Sequence, residues 1–181
     1  MENSGNKEFF SDVKMGNEKD RNMKLREIEP GDNGILAKII RTNLKAYKLD
    51  IPGTAYYDKN LDMLSEFYLA KPGKRIYLIA ADDEDNVIGG VGFAEVGLFE
   101  NCAELQKLYL TDAAKGSGLG YRLIGALEDK AREFGYKRMY LETHTILAPA
   151  IHIYEKSGYR QVEKPVGVIH SAMNRFYLKE L

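Results

Sequence analysis

The sequence predicts a mixed α/β domain, a mixed sheet with helices on its faces. Three observations carry that expectation. Three strand-like runs follow one another between Arg75 and Leu110, separated only by short loops, as in an antiparallel meander. A glycine-rich turn, KGSGLG from Lys115 to Gly120, then hands a strand to a long amphipathic helix. Beyond it, strand and helix alternate before two closing strands.

Each element has a local cause. Residues 1–22 are polar without sustained periodicity and are expected to form a flexible tail, with a single domain over 23–181. MKLREIE alternates apolar and polar residues, as a half-buried strand does. PGDN is turn chemistry, with Asp32 as the expected N-cap. Ile35, Leu36, Ile39, Ile40, Leu44 and Tyr47 then recur at helical spacing, giving a first helix of about 14 residues. DIPGTAYYDKN reads as a loop, and LDMLSEFYLA as a short helix ended by KPGK. RIYLIAAD and VIGGVGFAEV are strands joined by the polar turn DEDN. AELQKLYL has period two, so Glu104, Gln106, Leu108 and Leu110 are expected on one face, and Leu105, Lys107 and Tyr109 on the other.

The helix after Gly118 turns Leu119, Leu123, Ile124, Leu127, Ala131 and Phe134 to one side. Arg122, Glu128, Asp129, Lys130 and Arg132 lie on or near the other, and Gly135 stops it as a C′ glycine. KRMYLET is a strand, and APAIHIYEK a short helix with Pro149 in its first turn. YRQVEK and NRFYLKEL close the sheet.

The bulk numbers exclude several function classes. A chain of 181 residues suits one ordinary core, and 44% hydrophobic with 29% charged residues is a globular composition. A net charge of −1 supplies no basic field for nucleic acid or anionic lipid. No apolar run approaches the ~18–20 residues needed to span a bilayer, and the polar N-terminus lacks a leader's apolar core. One cysteine, Cys102, excludes an internal disulfide and suits the reducing cytoplasm. Three histidines without HExxH spacing give no expected metal site.

A helix that starts straight after a strand presents unpaired N–H groups and partial positive charge. Glycines let an anion approach that backbone closely. KGSGLG therefore reads as a phosphate cradle with Lys115 at its entrance. It is not a P-loop, because no Lys-Ser/Thr pair follows the glycines. It is not a dinucleotide turn, because Tyr121 stands where the third glycine is due. Taken alone, the same glycines equally suit a surface turn at a close helix–strand contact.

KGSGLG also resembles Q/R-x-x-G-x-G/A, the acyl-CoA signature of the GNAT superfamily of N-acetyltransferases, with Lys115 at the Gln/Arg position. AELQKLYL is similar to the strand before that signature, YLET to the strand after it, and AIHIYEKSGYR to the AixLYEKxGF segment. The resemblance implies a GNAT fold with six to seven strands and about four helices. It implies acetyl-CoA as acyl donor, its pyrophosphate on the main chain of Lys115, Gly116, Ser117, Gly118, Leu119, Gly120 and Tyr121. The pantetheine arm would lie along Leu108, Tyr109 and Leu110, where a bulge parts two central parallel strands.

In the same resemblance Glu104 stands at the place of a general base, and Tyr154 at that of the proton donor to the departing thiolate. Read as residues alone, Glu104 is equally a strand glutamate or a substrate anchor, and Tyr154 a half-buried aromatic. Tyr56, Tyr57, His144 and His170 are candidates for the acceptor site; core packing or loop roles are their alternatives. The implied function is N-acetyl transfer to a primary amine of a small molecule, amino acid or peptide by direct attack. A non-catalytic acyl-CoA sensor or interaction module of the same fold is the alternative. The expected setting is cytoplasmic, without nucleic acid or membrane, in a homodimer formed through exposed strands such as the last.

Overall fold

A computed structural model describes residues 23–168 and 172–181, so the expected tail over 1–22 lies outside the described residues. The strands are β1 (Lys24–Glu27), β2 (Ile76–Ala81), β3 (Val87–Glu95), β4 (Cys102–Leu110), β5 (Arg138–Thr143), β6 (Arg160–Val162) and β7 (Arg175–Glu180). The helices are α1 (Asn33–Ala46), α2 (Leu64–Leu69), α3 (Leu119–Glu133) and α4 (Ala148–Lys156). They form one seven-stranded sheet in the order β1-β2-β3-β4-β5-β7-β6. Every neighbouring pair is antiparallel except β4 and β5, which are parallel and joined by the α3 crossover. The last strand, β7, lies between β5 and β6 and is paired on both sides, so it offers no free edge to a second copy.

Two apolar layers cover the sheet. On one face Leu119, Leu123, Leu127 and Ala131 of α3 pack on Leu78, Val91, Phe93, Leu105 and Leu141. On the other, Leu36, Ile40 and Leu44 of α1 and Leu64 and Tyr68 of α2 pack on Tyr77 and Ile79. The stripe expected along α3 is thus its buried side. Its end is also as expected: Gly135 has φ +87°, with Gly135 N–H to Arg132 O and Tyr136 N–H to Ala131 O, each at 3.0 Å.

Two local readings change. Asp32 stands at the N-cap of α1 but its side chain makes no capping bond there; its carboxylate takes both Arg26 nitrogens at 2.8 Å and the Glu29 N–H at 2.8 Å, closing a 3₁₀ turn ahead of the helix. Burial pushes the Asp32 carboxyl up, but the Arg26 guanidinium and the Glu29 N–H outweigh it, and the net shift is downward. Glu128, read with the charged side of α3, is buried, because that position turns onto β7 and meets Lys179 Nζ at 2.6 Å.

The largest departure is in β4. Gly90 of β3 pairs with Tyr109, but Gly92 pairs with Gln106, so Lys107 and Leu108 together oppose one residue of β3. Lys107 has φ +53°. The extra residue reverses the alternation. Leu108 and Leu110 therefore join Leu105 on the α3 side, and Tyr109 packs on the α1–α2 side. The Tyr77 hydroxyl donates to the Lys107 carbonyl at 2.9 Å and holds the bulge. Tyr77 can lie there because β3 has no side chains beneath it. A Cβ on Gly92 would sit 2.5 Å from Tyr77 Cδ2 and 2.8 Å from the Tyr68 ring.

Gly92→Ala is expected to cost about 2 kcal/mol, since both rings are buried and cannot retreat. Gly125→Ala, on the open side of α3 with nothing within 4 Å of a Cβ, is expected to gain about 0.5–1 kcal/mol. Urea unfolding of the two variants checks the pair. In Tyr77→Phe the Lys107 carbonyl loses its donor at a cost of about 1–2 kcal/mol, with faster amide exchange across Lys107–Leu110 than in the wild type.

Candidate active site

The bulge separates β4 from β5. The two strands pair only from Cys102–Arg138 to Glu104–Tyr140. Beyond Glu104, β4 keeps β3 on one side and opens on the other into a cleft of about 630 Å³. The cleft runs through the sheet between the two helical layers, from Asn43, Leu44 and Tyr47 on one side to Gly120, Tyr121, Ile153 and Tyr154 on the other. Leu108, Tyr109 and Leu110 form its β4 wall, so the strand edge named from the sequence faces it.

The glycine turn closes one end. Gly116 and Gly118 have φ +76° and +84°, and a Cβ on either would meet nothing within 4 Å. Their positive φ is what the turn requires of them. Gly120 differs: a Cβ there would lie 3.1 Å from Ile153 Cδ1, so it serves close packing of α3 against α4. Among the described residues, the N–H groups of Gly116, Ser117, Gly118 and Gly120 meet no acceptor. Ser117 Oγ donates to Ala114 O at 2.8 Å and accepts from Leu119 N–H at 3.3 Å, so its side chain braces the helix start. Lys115 Nζ pairs with Asp112 Oδ1 at 2.6 Å at the rim. Open main-chain donors, left-handed glycines and a rim ammonium fit a diphosphate.

The two residues named for proton transfer both line this cleft. Tyr154, on α4, is buried, and its hydroxyl has no partner among the described residues. Burial pushes its phenol well up, so it remains an O–H donor across the physiological range. Glu104 lies at the last β4–β5 pair, and Gln106 Nε2 donates to its Oε2 at 2.7 Å.

The acceptor candidates fare differently. Tyr56 and Tyr57 stack on each other at 5.1 Å; Tyr56 packs on the α1–α2 core and Tyr57 is exposed, and neither lines the cleft. His144 is engaged in its own loop: Nδ1 accepts from Ile146 N–H at 3.2 Å, and Nε2 faces Asn174 Nδ2 at 3.3 Å. His170 lies outside the described residues. In their stead the cleft takes Tyr47, Thr54, Asp58, Glu142 and His152. Asp58 pairs with Lys107 Nζ at 2.7 Å, which ties the loop after α1 to the bulge. Asn43 Nδ2 donates to Leu110 O at 2.9 Å and to Ile39 O at 2.9 Å. An amide on the otherwise apolar stripe of α1 was the available sequence signal for that contact. Among the described residues no acidic, histidine or cysteine cluster is placed to hold a metal ion.

Comparisons with known proteins bear on the family and the fold. Residues 40–159 match the family model described as Acetyltransferase (GNAT) family. The chain is 35% identical over 145 residues to the uncharacterized N-acetyltransferase YjgM of Escherichia coli K12, covering 79% of this chain and 85% of that protein. Its fold is similar to a GNAT-family acetyltransferase of Staphylococcus aureus Mu50, with TM-score 0.77 and 18% identity over 88% of this chain and 99% of the other. It is also similar to the spermidine N-acetyltransferase of Vibrio cholerae in complex with CoA and spermine, with TM-score 0.65 and 21% identity over 88% and 95%.

The buried Tyr154 phenol gives a direct spectroscopic expectation. The difference in phenolate absorbance between wild type and Tyr154→Phe should stay flat to about one unit beyond the ordinary tyrosine value of ~10. A step near pH 10 would mean that the phenol is solvated.

Proposed function

Because the chain belongs to the Acetyltransferase (GNAT) family, we propose that it transfers the acetyl group of acetyl-CoA to a primary amine of a small molecule, amino acid or peptide, by direct attack. The observation that carries this reading is convergence: cradle, open strand edge, Glu104 and Tyr154 all border one cleft. Acetyl-CoA supplies the activated acyl group. The free N–H groups of Gly116, Ser117, Gly118 and Gly120 hold its diphosphate, and the Leu108–Leu110 edge receives the pantetheine arm.

Proton traffic falls to two side chains. An alkyl ammonium with a pKa near ~10 is mostly protonated at neutral pH. Glu104 takes its proton, directly or through water, as the amine nitrogen bonds to the acetyl carbon. The C–S bond breaks, Tyr154 gives its proton to the sulfur, and the second proton that the nitrogen sheds on becoming an amide restores the Tyr154 phenol. Burial keeps the phenol protonated until the thiolate leaves. Cys102 takes no part as a nucleophile: it is buried, and burial pushes its thiol up to about 12. The acceptor end is formed by Tyr47, Thr54, Asp58 and Glu142, with no role for Tyr56 or Tyr57. A cytoplasmic setting belongs to the same proposal, supported by the single unpaired thiol.

Thiol release from acetyl-CoA across a panel of aliphatic amines, amino acids and peptide N-termini tests the transfer. Turnover with at least one amine is expected, and coenzyme A binding without turnover on the whole panel would overturn it. Tyr154→Phe and Glu104→Gln should each lower kcat by roughly 10²-fold. Glu104→Gln should also alter the rise of activity with pH, since only the ionised carboxylate accepts the proton. Gly118→Val should remove acetyl-CoA binding in calorimetry; an unchanged affinity would place the diphosphate elsewhere.

A further inference from the structure

Asn43 interrupts the apolar stripe of α1, is only 8% exposed and lines the cleft. Both hydrogens of its amide nitrogen are committed: Nδ2 donates to the Ile39 carbonyl and to the Leu110 carbonyl, each at 2.9 Å. A main-chain carbonyl only accepts, so these two bonds fix which end of the amide is nitrogen. Oδ1 is left as the open end. It meets no hydrogen-bond donor among the described residues and is not sealed from solvent. A residue this buried keeps that access through the cleft it lines.

The Leu110 carbonyl locates this oxygen. The Thr111 N–H donates to the Ile88 carbonyl of β3 at 2.8 Å. Across a trans peptide the C=O and the N–H point opposite ways, and no peptide bond among the described residues is cis. The Leu110 C=O therefore points away from β3, to the side that β5 has left open, and there Asn43 takes it. Leu110 is the end of β4 nearer the glycine turn, and Glu104 lies toward the other end. What passes Leu110 is thus the arm of coenzyme A on its way from the cradle, not the reacting amine.

We propose that Asn43 binds coenzyme A directly: its Oδ1 accepts from an amide N–H of the pantetheine arm, beside the Leu110 carbonyl that Nδ2 holds. The proposal rests on the reading of Leu108–Leu110 as the seat of that arm. The arm carries two secondary amides, and each N–H needs an acceptor once it leaves water. An open strand edge ordinarily supplies one from its own carbonyls. At Leu110 the carbonyl that faces the opening already has its partner, so the side-chain amide that engages it offers its own oxygen instead. Two hydrogen bonds hold that oxygen in place before the arm arrives, and little freedom is lost on binding.

Calorimetry on the full chain tests this with four ligands. They are coenzyme A, 3′-phospho-ADP (coenzyme A without the arm), and two coenzyme A analogues in which an ester oxygen replaces one or the other N–H of the arm. The wild type is expected to bind one ester analogue about tenfold more weakly than coenzyme A. Asn43→Leu, of similar volume, should bind coenzyme A about tenfold more weakly than the wild type. It should also lose the distinction between the amide and that ester, and bind 3′-phospho-ADP as the wild type does. Equal binding of coenzyme A and both esters by the wild type overturns the proposal, and that arm needs no folded variant. A folded Asn43→Leu that still prefers the amide also overturns it. So does one that loses 3′-phospho-ADP in the same proportion as coenzyme A, which would make Asn43 only a strap between α1 and β4. Failure of the seat itself looks different: the wild type would then bind coenzyme A no better than 3′-phospho-ADP, and both readings would fall.

Discussion

At Lys107 the backbone of β4 takes a positive φ and slips one residue against β3, and Tyr77 secures the slip by donating to the displaced carbonyl. A left-handed conformation costs a lysine about 1–2 kcal/mol, so it persists only where neighbours compensate. The compensation is visible on three sides. Tyr77 holds the carbonyl, Asp58 holds the side chain, and the missing side chains of Gly90 and Gly92 leave room for the rings. From this one distortion follow the departure of β4 from β5, the cleft between them, and the exposure of a strand edge to a ligand. Residues before the bulge and residues after it then meet different partners: Gln106 bonds to Glu104 and Tyr68, and Leu108 and Leu110 join the apolar layer beneath α3.

Two groups of glycines serve this arrangement by different physics. Gly116 and Gly118 matter for their dihedral angles: the turn before α3 needs positive φ and leaves main-chain donors bare. Gly90 and Gly92 matter for volume, since any Cβ there would enter the Tyr77 ring. One group shapes the cradle and the other anchors the bulge, and the cleft needs both. The helix start, the open strand edge and the buried phenol of Tyr154 then meet without any of them being supplied by a long flexible loop.

Much of the fold was legible because its signals are periodic or local. The apolar stripe of α3, its glycine stop and the glycine-rich turn before it each have one dominant physical cause, and the structure keeps all three. The bulge was not legible in its register: AELQKLYL reads as an unbroken alternation, and nothing in the letters shows that Lys107 adopts φ +53°. The faces of Leu108, Tyr109 and Leu110 were consequently assigned in reverse, although their position on the cleft edge was foreseen. Glu128 was misread for a related reason, since its partner Lys179 lies on a strand distant in sequence. The acceptor end was the least legible part. Tyr56 and Tyr57, candidates for the acceptor site, stack on each other, with Tyr56 packed on the core, whereas Asp58 beside them reaches the cleft and bonds to Lys107. The Asn43–Leu110 and Tyr68–Gln106 bonds join residues far apart in the chain, so the letters could at most mark Asn43 as an amide on an apolar stripe and not name its partner.

The sheet's margins carry a consequence of their own. Its outermost strands are β1, with four residues, and β6, with three, both shorter than the strands they flank. Such short ribbons offer an incoming chain few main-chain hydrogen bonds and so blunt the sheet's edges. Continuation of the sheet from β1 or β6 into another molecule is therefore disfavoured among the described residues.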